Sequence, residues 1–190
     1  MSIDISRKPS PYSVWNRAGR LLWGGVYLFL FRPSPRPFHA WRRMLLRAFG
    51  AKLGKGAKVF SSAKIFAPWN LIMGDYSTIA PDVDCYCAGV IRIGSHSTVS
   101  QYSYLCSASH DFEQPTMPLQ VGTIVVGSQV WIAADVFVGP NVEIGDGAVV
   151  GARSSVFTNL PSWMLCVGNP AKPKRERKVR NEEHGSIHPR

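Results

Sequence analysis

Apolar residues recur at every sixth position through most of this chain. Leu53, Val59 and Ile65 set the pattern, and after a slip of two residues it continues through Met73, Ile79 and Cys85. A second slip of two leads to Ile93, Val99 and Leu105, and after a longer interruption the pattern runs unbroken from Val126 through Ile132, Val138, Ile144 and Val150 to Val156. With 45% apolar residues overall, chance fills all of these positions with odds of roughly one in 10^5. Four residues after the apolar position the residue is mostly small: Ala57, Ala63, Ser77, Gly89, Ser97, Ser103, Ser109, Ala148 and Ser154, with valine at 83, 130, 136 and 142. Trp69 and Leu160 are the exceptions, and glycine often follows the apolar residue, as at 54, 74, 94, 127, 139, 145 and 151.

A period of six fits neither an amphipathic helix nor one continuous half-buried strand. It fits short strands joined by turns of fixed length, with alternation inside each hexad sending the apolar and small residues inward. Three hexads close one coil, which predicts coils at 53–70, 73–90, 93–110, 126–143 and 144–161. Both slips and the long interruption fall between coils, as a triangular prism requires. Each coil contacts only its neighbours, so stacking builds one continuous core. The expected organisation is an N-terminal segment over 1–52, a repeat domain over 53–161 with a loop at 111–125, and a C-terminal segment over 162–190.

Charge divides the chain in the same places. The net charge is +10. Residues 1–58 carry twelve Lys/Arg and one acid, residues 59–171 three and eight, and residues 172–190 seven and three. Basic ends therefore flank an acidic prism, a distribution suited to a membrane surface or a phosphorylated ligand. Nucleic acid is not expected, since no helix-turn-helix, zinc finger or aromatic RNA-binding motif is present. Four cysteines, with the spacing Cys85-x-Cys87, match neither a zinc site nor a redox pair. Together with the lack of a secretory signal pattern, they predict a reduced, cytoplasmic protein.

Residues 21–31 (LLWGGVYLFLF) are apolar or Gly but too few to cross a bilayer. Pro33, Pro35 and Pro37 then break the chain. Residues 39–49 read as a helix with Trp41, Leu45 and Phe49 on one stripe and Arg42, Arg43 and Arg47 beside it. Two roles suit these segments: covering the open end of the first coil, or peripheral membrane contact through residues 17–49 at the inner membrane face.

The most informative local stretch is 105–112, LCSASHDF, where the repeat stops. Regular solenoids are usually interrupted for a functional loop, and His110 is the histidine placed at that junction. Imidazole titrates near working pH and suits general base chemistry. Cys106, four residues earlier, is a rival nucleophile.

The hexads resemble the hexapeptide-repeat acyltransferases. The SASHDF segment, the run from VVGSQVWIAADVF to GARSSV, and the closing VGNPAK resemble the sugar O-acetyltransferases of that superfamily. With RPSPRPFHAWRRMLLRAFGAKLG, the match is to the colanic-acid-type enzymes, over about residues 15–178. The resemblance implies an all-β fold: a left-handed parallel β-helix of about five triangular coils, with a short N-terminal helical and apolar segment and a basic C-terminal tail. Left-handedness comes from the resemblance, since sequence rules favour right-handed crossovers. It implies acetyl-CoA as acetyl donor with no metal required, a sugar or lipid-linked glycan as acceptor, and a homotrimer with active sites between subunits.

Carried onto this chain, the resemblance makes His110 the general base for direct transfer. It places the pantetheine arm and nucleotide along Trp131, Ala133, Ala134 and Ala152, with Phe157 and Thr158 as further candidates and Lys172 and Arg175 near the phosphates. Galactoside- and maltose-type enzymes use an Asn on coil two for the acceptor. Here that place falls on Ala80, which speaks against a simple galactoside. Asp82, Asp84, Asp111 and Glu113 are the remaining acceptor candidates. Two alternatives share the prism. A γ-class carbonic anhydrase needs three zinc-binding histidines, and only His96 and His110 lie in the repeats. A non-catalytic assembly scaffold would leave His110 and Trp131 without a role.

Overall fold

The computed structural model describes Ile3 and residues 11–179; the remainder of the basic tail, from 180 onward, lies outside the described residues. From residue 52 the chain winds as a triangular parallel β-helix. One face stacks Lys52–Leu53, Leu71–Met73, Ile91–Ile93, Ile124–Val126 and Val142–Ile144. The second stacks Lys58–Val59, Thr78–Ile79, Thr98–Val99, Trp131–Ile132 and Val149–Val150. The third stacks Lys64–Ile65, Asp84–Tyr86, Tyr104–Cys106, Phe137–Val138 and Ser155–Val156. All of these strands pair in parallel, with Leu53 beside Met73 and Met73 beside Ile93. The hexad residues fill the axis: Val59, Ile79, Val99, Ile132 and Val150 are fully buried on one face and Cys85, Leu105 and Val138 on another. Ala57, Ser77 and Ser97 sit at zero exposure beside them. The turns bring neighbouring coils close together. A Cβ on Gly94 would collide with the Gly127 carbonyl group, which explains glycine at that recurring place.

At the C-terminal end, Met164–Gly168 pairs in parallel with Val149–Val150, so it adds one more strand to the second face. Ala171–Glu176 then folds back antiparallel onto it.

At the N-terminal end, helix α1 (Val14–Val26) runs into a π-helical turn at Tyr27–Phe31, and helix α2 (His39–Ala48) lies across the first coil. Ser13 caps α1 by accepting from the Asn16 N–H. Trp23, Phe31, Leu45 and Leu46 are buried, and Trp23, Phe31 and Phe49 form an aromatic cluster. The buried side of α2 also carries Arg42, whereas Trp41 stands at the rim and donates to the Leu30 carbonyl. The helix is thus rotated from the stripe expected through Trp41, Leu45 and Phe49.

The reason is the hydrogen-bond ladder. Within the prism, carbonyls at Met73, Ser77, Ile79 and Cys85 accept N–H groups from the coil before. The equivalent carbonyls of the first coil, at Leu53, Ala57, Val59 and Ile65, have no preceding coil. They accept instead from Arg47 (2.7 Å), Arg43 (2.9 Å), Arg42 (2.7 Å) and the Trp23 indole (2.7 Å). Buried carbonyls require partners, and the N-terminal segment supplies them while covering the exposed core.

Candidate active site

The long interruption is a β-hairpin. Ala108–His110 pairs antiparallel with Leu119–Val121, opposing His110 to Leu119. Its base is tied to the prism by Ser107, which is fully buried. The Ser107 carbonyl accepts from the Gly122 N–H, and its hydroxyl donates to the Tyr86 carbonyl and accepts from the Gly89 N–H. Departure from the coil therefore begins before residue 111. Ser109, which continues the small-residue pattern in sequence, sits exposed on the hairpin.

His110 is exposed, and its Nδ1 lies 2.7 Å from the Met117 carbonyl oxygen. A carbonyl only accepts, so Nδ1 carries the proton and Nε2 of the neutral ring presents a lone pair. Met117 holds its carbonyl there from a left-handed backbone conformation, φ 44°. A cavity of about 490 Å³ opens beside the ring. Tyr86 and Tyr104 wall it from the third face, and Phe112, Met117 and Leu119 from the hairpin. Burial first, and then Cys106 beside it, push the Tyr104 phenol up, so it remains a donor. Cys106 lines the same cavity and donates its thiol to the Ala108 carbonyl at 3.1 Å.

The acidic candidates are dispersed. Asp111 serves the hairpin itself: its carboxylate accepts from the Glu113 N–H and from the Gln114 and Gln120 side chains. Glu113 is exposed at the tip, and Asp82 is exposed at a prism corner with φ 58°. Asp84 lies on the third face, 4.0 Å from the Lys64 ammonium, in a cavity adjoining that of His110. Burial pushes its carboxyl up, partly offset by Lys64.

The donor-side candidates gather on the second face. Trp131 is 50% exposed and donates its indole N–H to Ser100. With Val149, Leu165, Arg175, Arg177 and Lys178 it lines a cavity of about 320 Å³. Ala133 is buried, Ala134 half-buried and Ala152 exposed, and the Arg153 N–H donates to the Ala134 carbonyl. Phe157 and Thr158 are exposed beyond the third face, with the Phe157 ring tilted against Phe137. Lys172 is exposed but does not line the Trp131 cavity.

Sequence reasoning missed Arg177 and Lys178. Arg177 follows Arg175 by two, the spacing that puts both on one side of a strand, which was the available signal. It also missed Tyr86, Tyr104 and Met117. The two tyrosines occupy outward third-face positions that the coil register predicts. The Met117 carbonyl is a backbone group and leaves no trace in residue identity. No group of three metal-ligating side chains occurs among the described residues.

Residues 123–158 match the family model for the bacterial transferase hexapeptide (six repeats). The chain is 50% identical over 156 residues to the protein named colanic acid biosynthesis acetyltransferase WcaF of Escherichia coli K12, an alignment covering 82% of this chain and 86% of that one. A hexapeptide-repeat acetyltransferase of Vibrio cholerae, solved with acetyl coenzyme A, superposes with a TM-score of 0.80 at 26% identity, over 90% of this chain and 93% of that one. AntD, an N-acyltransferase of Bacillus cereus solved with an amino-sugar nucleotide and coenzyme A, gives a TM-score of 0.61 at 26% identity, over 72% and 89%. This chain belongs to the hexapeptide-repeat acetyltransferases: it is an acyltransferase that uses acetyl-CoA. The Trp131 cavity fits that donor, since its aromatic wall and three cations are suited to an adenine nucleotide and its phosphates.

Proposed function

We propose that this protein transfers the acetyl group of acetyl-CoA to a sugar hydroxyl of a polysaccharide or its lipid-linked precursor, with His110 as general base. The observation that carries the reading is the Nδ1–Met117 bond beside a cavity walled by tyrosines, a bond that in the neutral ring leaves the lone pair on Nε2. The name of the Escherichia coli relative, with its reference to an exopolysaccharide, supports the acceptor class. Acetyl-CoA supplies an acyl carbon with a thiolate leaving group. Nε2 takes the hydroxyl proton as the sugar oxygen bonds to that carbon, and the carbon–sulfur bond then breaks. The same proton returns from the imidazolium to the departing sulfur, so no acyl-enzyme forms.

His110 leaves the prism between its third and first faces, while Trp131 and Arg175 stand on the second. The two half-sites share no cavity among the described residues. We therefore read the working unit as a homotrimer in which His110 of one subunit faces the donor groove of the next.

The outward side of the N-terminal segment supports contact with the inner membrane face. Leu21, Leu22, Leu28, Phe29, Phe38 and Met44 are exposed there, with Arg17, Arg32 and Arg36 exposed beside them. No helix is long and apolar enough to cross a membrane among the described residues, so the contact would be interfacial. Flotation with anionic liposomes measures it.

The test of the chemistry is His110→Ala. Transfer to a glycan acceptor should fall by about 10²–10⁴-fold, while calorimetric titration shows acetyl-CoA still binding. Mass spectrometry after incubation with acetyl-CoA should find Cys106 unmodified. Near-normal turnover in the variant, or an acetylated Cys106 that goes on to supply the acceptor, rejects His110 as the base.

A further inference from the structure

The cavity at His110 does not end at its own hairpin. Tyr86 walls it on one side and, on the other, walls a second cavity of about 380 Å³ beneath helix α1. Arg20, Trp23 and Tyr27 reach into that space from the helix and the π-helical turn, and Lys64, Phe66 and Asp84 from the third face.

The polar groups there are under-used. The Arg20 guanidinium lies over the rings of Tyr12 and Phe66, at 4.4 and 4.7 Å. Its Nε is buried without a hydrogen-bond acceptor, and it forms no ion pair among the described residues. The Tyr27 hydroxyl is likewise buried without a partner. Burial pushes its phenol up, which keeps it a donor. Among the described residues Lys64 pairs with one acid, Asp84, at 4.0 Å, the outer limit of an ion pair. Two cations thus face one carboxylate, with two buried polar atoms unmatched. Such groups are costly to leave unsatisfied. A carboxylate or phosphate would satisfy them, since a guanidinium pairs with either through two parallel bonds.

The spacing suits a single ligand. Lys64, Asp84 and Tyr104 are in register on three neighbouring strands, so Lys64 lies about 10 Å along the face from Tyr104. That is longer than one sugar ring. Phe66 and Tyr86, with ring centroids 4.5 Å apart, form an aromatic wall between the two ends.

We propose that the two cavities form one acceptor groove, in which the space beneath α1 holds an anionic group, a carboxylate or a phosphate, borne by the acceptor at least one sugar ring from the hydroxyl presented to His110. The inference rests on the sugar-acceptor reading above and adds a charge requirement to it.

Calorimetric titration of the full chain tests this with three probes: a neutral trisaccharide, the same trisaccharide ending in a uronate, and a disaccharide diphosphate on a short prenyl chain. At least one anionic probe should bind about tenfold or more tightly than the neutral one, the weight of a charge-assisted hydrogen bond. Which of the two does so identifies the source of the anion. The preference should vanish in Arg20→Gln, weaken in Lys64→Gln and persist in His110→Ala. Lys64 is exposed, so its variant keeps the test open should Arg20→Gln fail to fold. Equal affinity for all probes, no binding by any of them, or a preference surviving in both charge variants overturns the proposal. Lost transfer in His110→Ala without a charge preference sinks the groove alone. A charge preference with full transfer in His110→Ala sinks the base alone.

Discussion

The two ends of the prism face the same problem and solve it with different parts of the chain. At the N-terminal end, four carbonyls of the first coil lack a preceding coil, and side chains reach them: Arg42, Arg43, Arg47 and the Trp23 indole. At the C-terminal end, backbone meets backbone, as Met164–Gly168 extends the second face and Ala171–Glu176 folds back over it. The first solution depends on residue identity, because a guanidinium delivers donors to several carbonyls at once. Arg42 is fully buried and forms no ion pair among the described residues. It bonds the carbonyls of Val59, Pro35 and Arg36, the Ser34 hydroxyl and the His39 ring. The second solution depends chiefly on strand pairing, with the Arg177 guanidinium adding bonds to the Gln129 and Gly147 carbonyls. Arg175 and Arg177 also line the Trp131 cavity. One end is closed by side chains and the other chiefly by backbone pairing, beside an open cavity.

Breaking this comparison starts with the largest effect. Wild-type protein should float with anionic vesicles, and a Leu22→Asp/Phe29→Asp variant should remain in the dense fraction with its melting temperature intact, because both positions are exposed. Wild-type protein that stays in the dense fraction rejects the membrane reading. Arg42→Ala strands several buried acceptors and should cost about 3 kcal/mol, lowering Tm by roughly 6–12 °C. Arg177→Ala removes bonds to the Gln129 and Gly147 carbonyls near the surface. It should lower Tm by only about 2–4 °C while weakening acetyl-CoA binding several-fold by calorimetry. A larger Tm loss for Arg177→Ala than for Arg42→Ala would collapse the distinction between the ends.

The prism was legible because its rule is local and repeats. Leu53, Val59 and Ile65 announce an inward position every sixth residue, and both two-residue slips fall where one coil passes to the next. The hairpin was less legible. Alternation in Ala108–His110 serves a coil strand and a hairpin strand equally well, so residue types do not mark where the chain leaves the wall. The charge of α2 was visible, but its direction was not. Arginines beside an apolar stripe read as an outer face, and only the ladder of unmatched carbonyls explains why Arg42 turns inward. At the candidate site His110 stood out by its position at the break in the repeat. The group that orients it is the Met117 carbonyl, which any amino acid could provide. Tyr86 and Tyr104 could have been placed by carrying the coil register to outward positions.

A stack of identical coils has no natural stopping point. Each new turn offers the next a flat platform of backbone groups at the strand spacing found in fibrils, and a second molecule could dock there end to end. The arginine plate beneath the first coil withdraws one of those platforms. It thereby makes a finite particle out of a pattern that would otherwise polymerise.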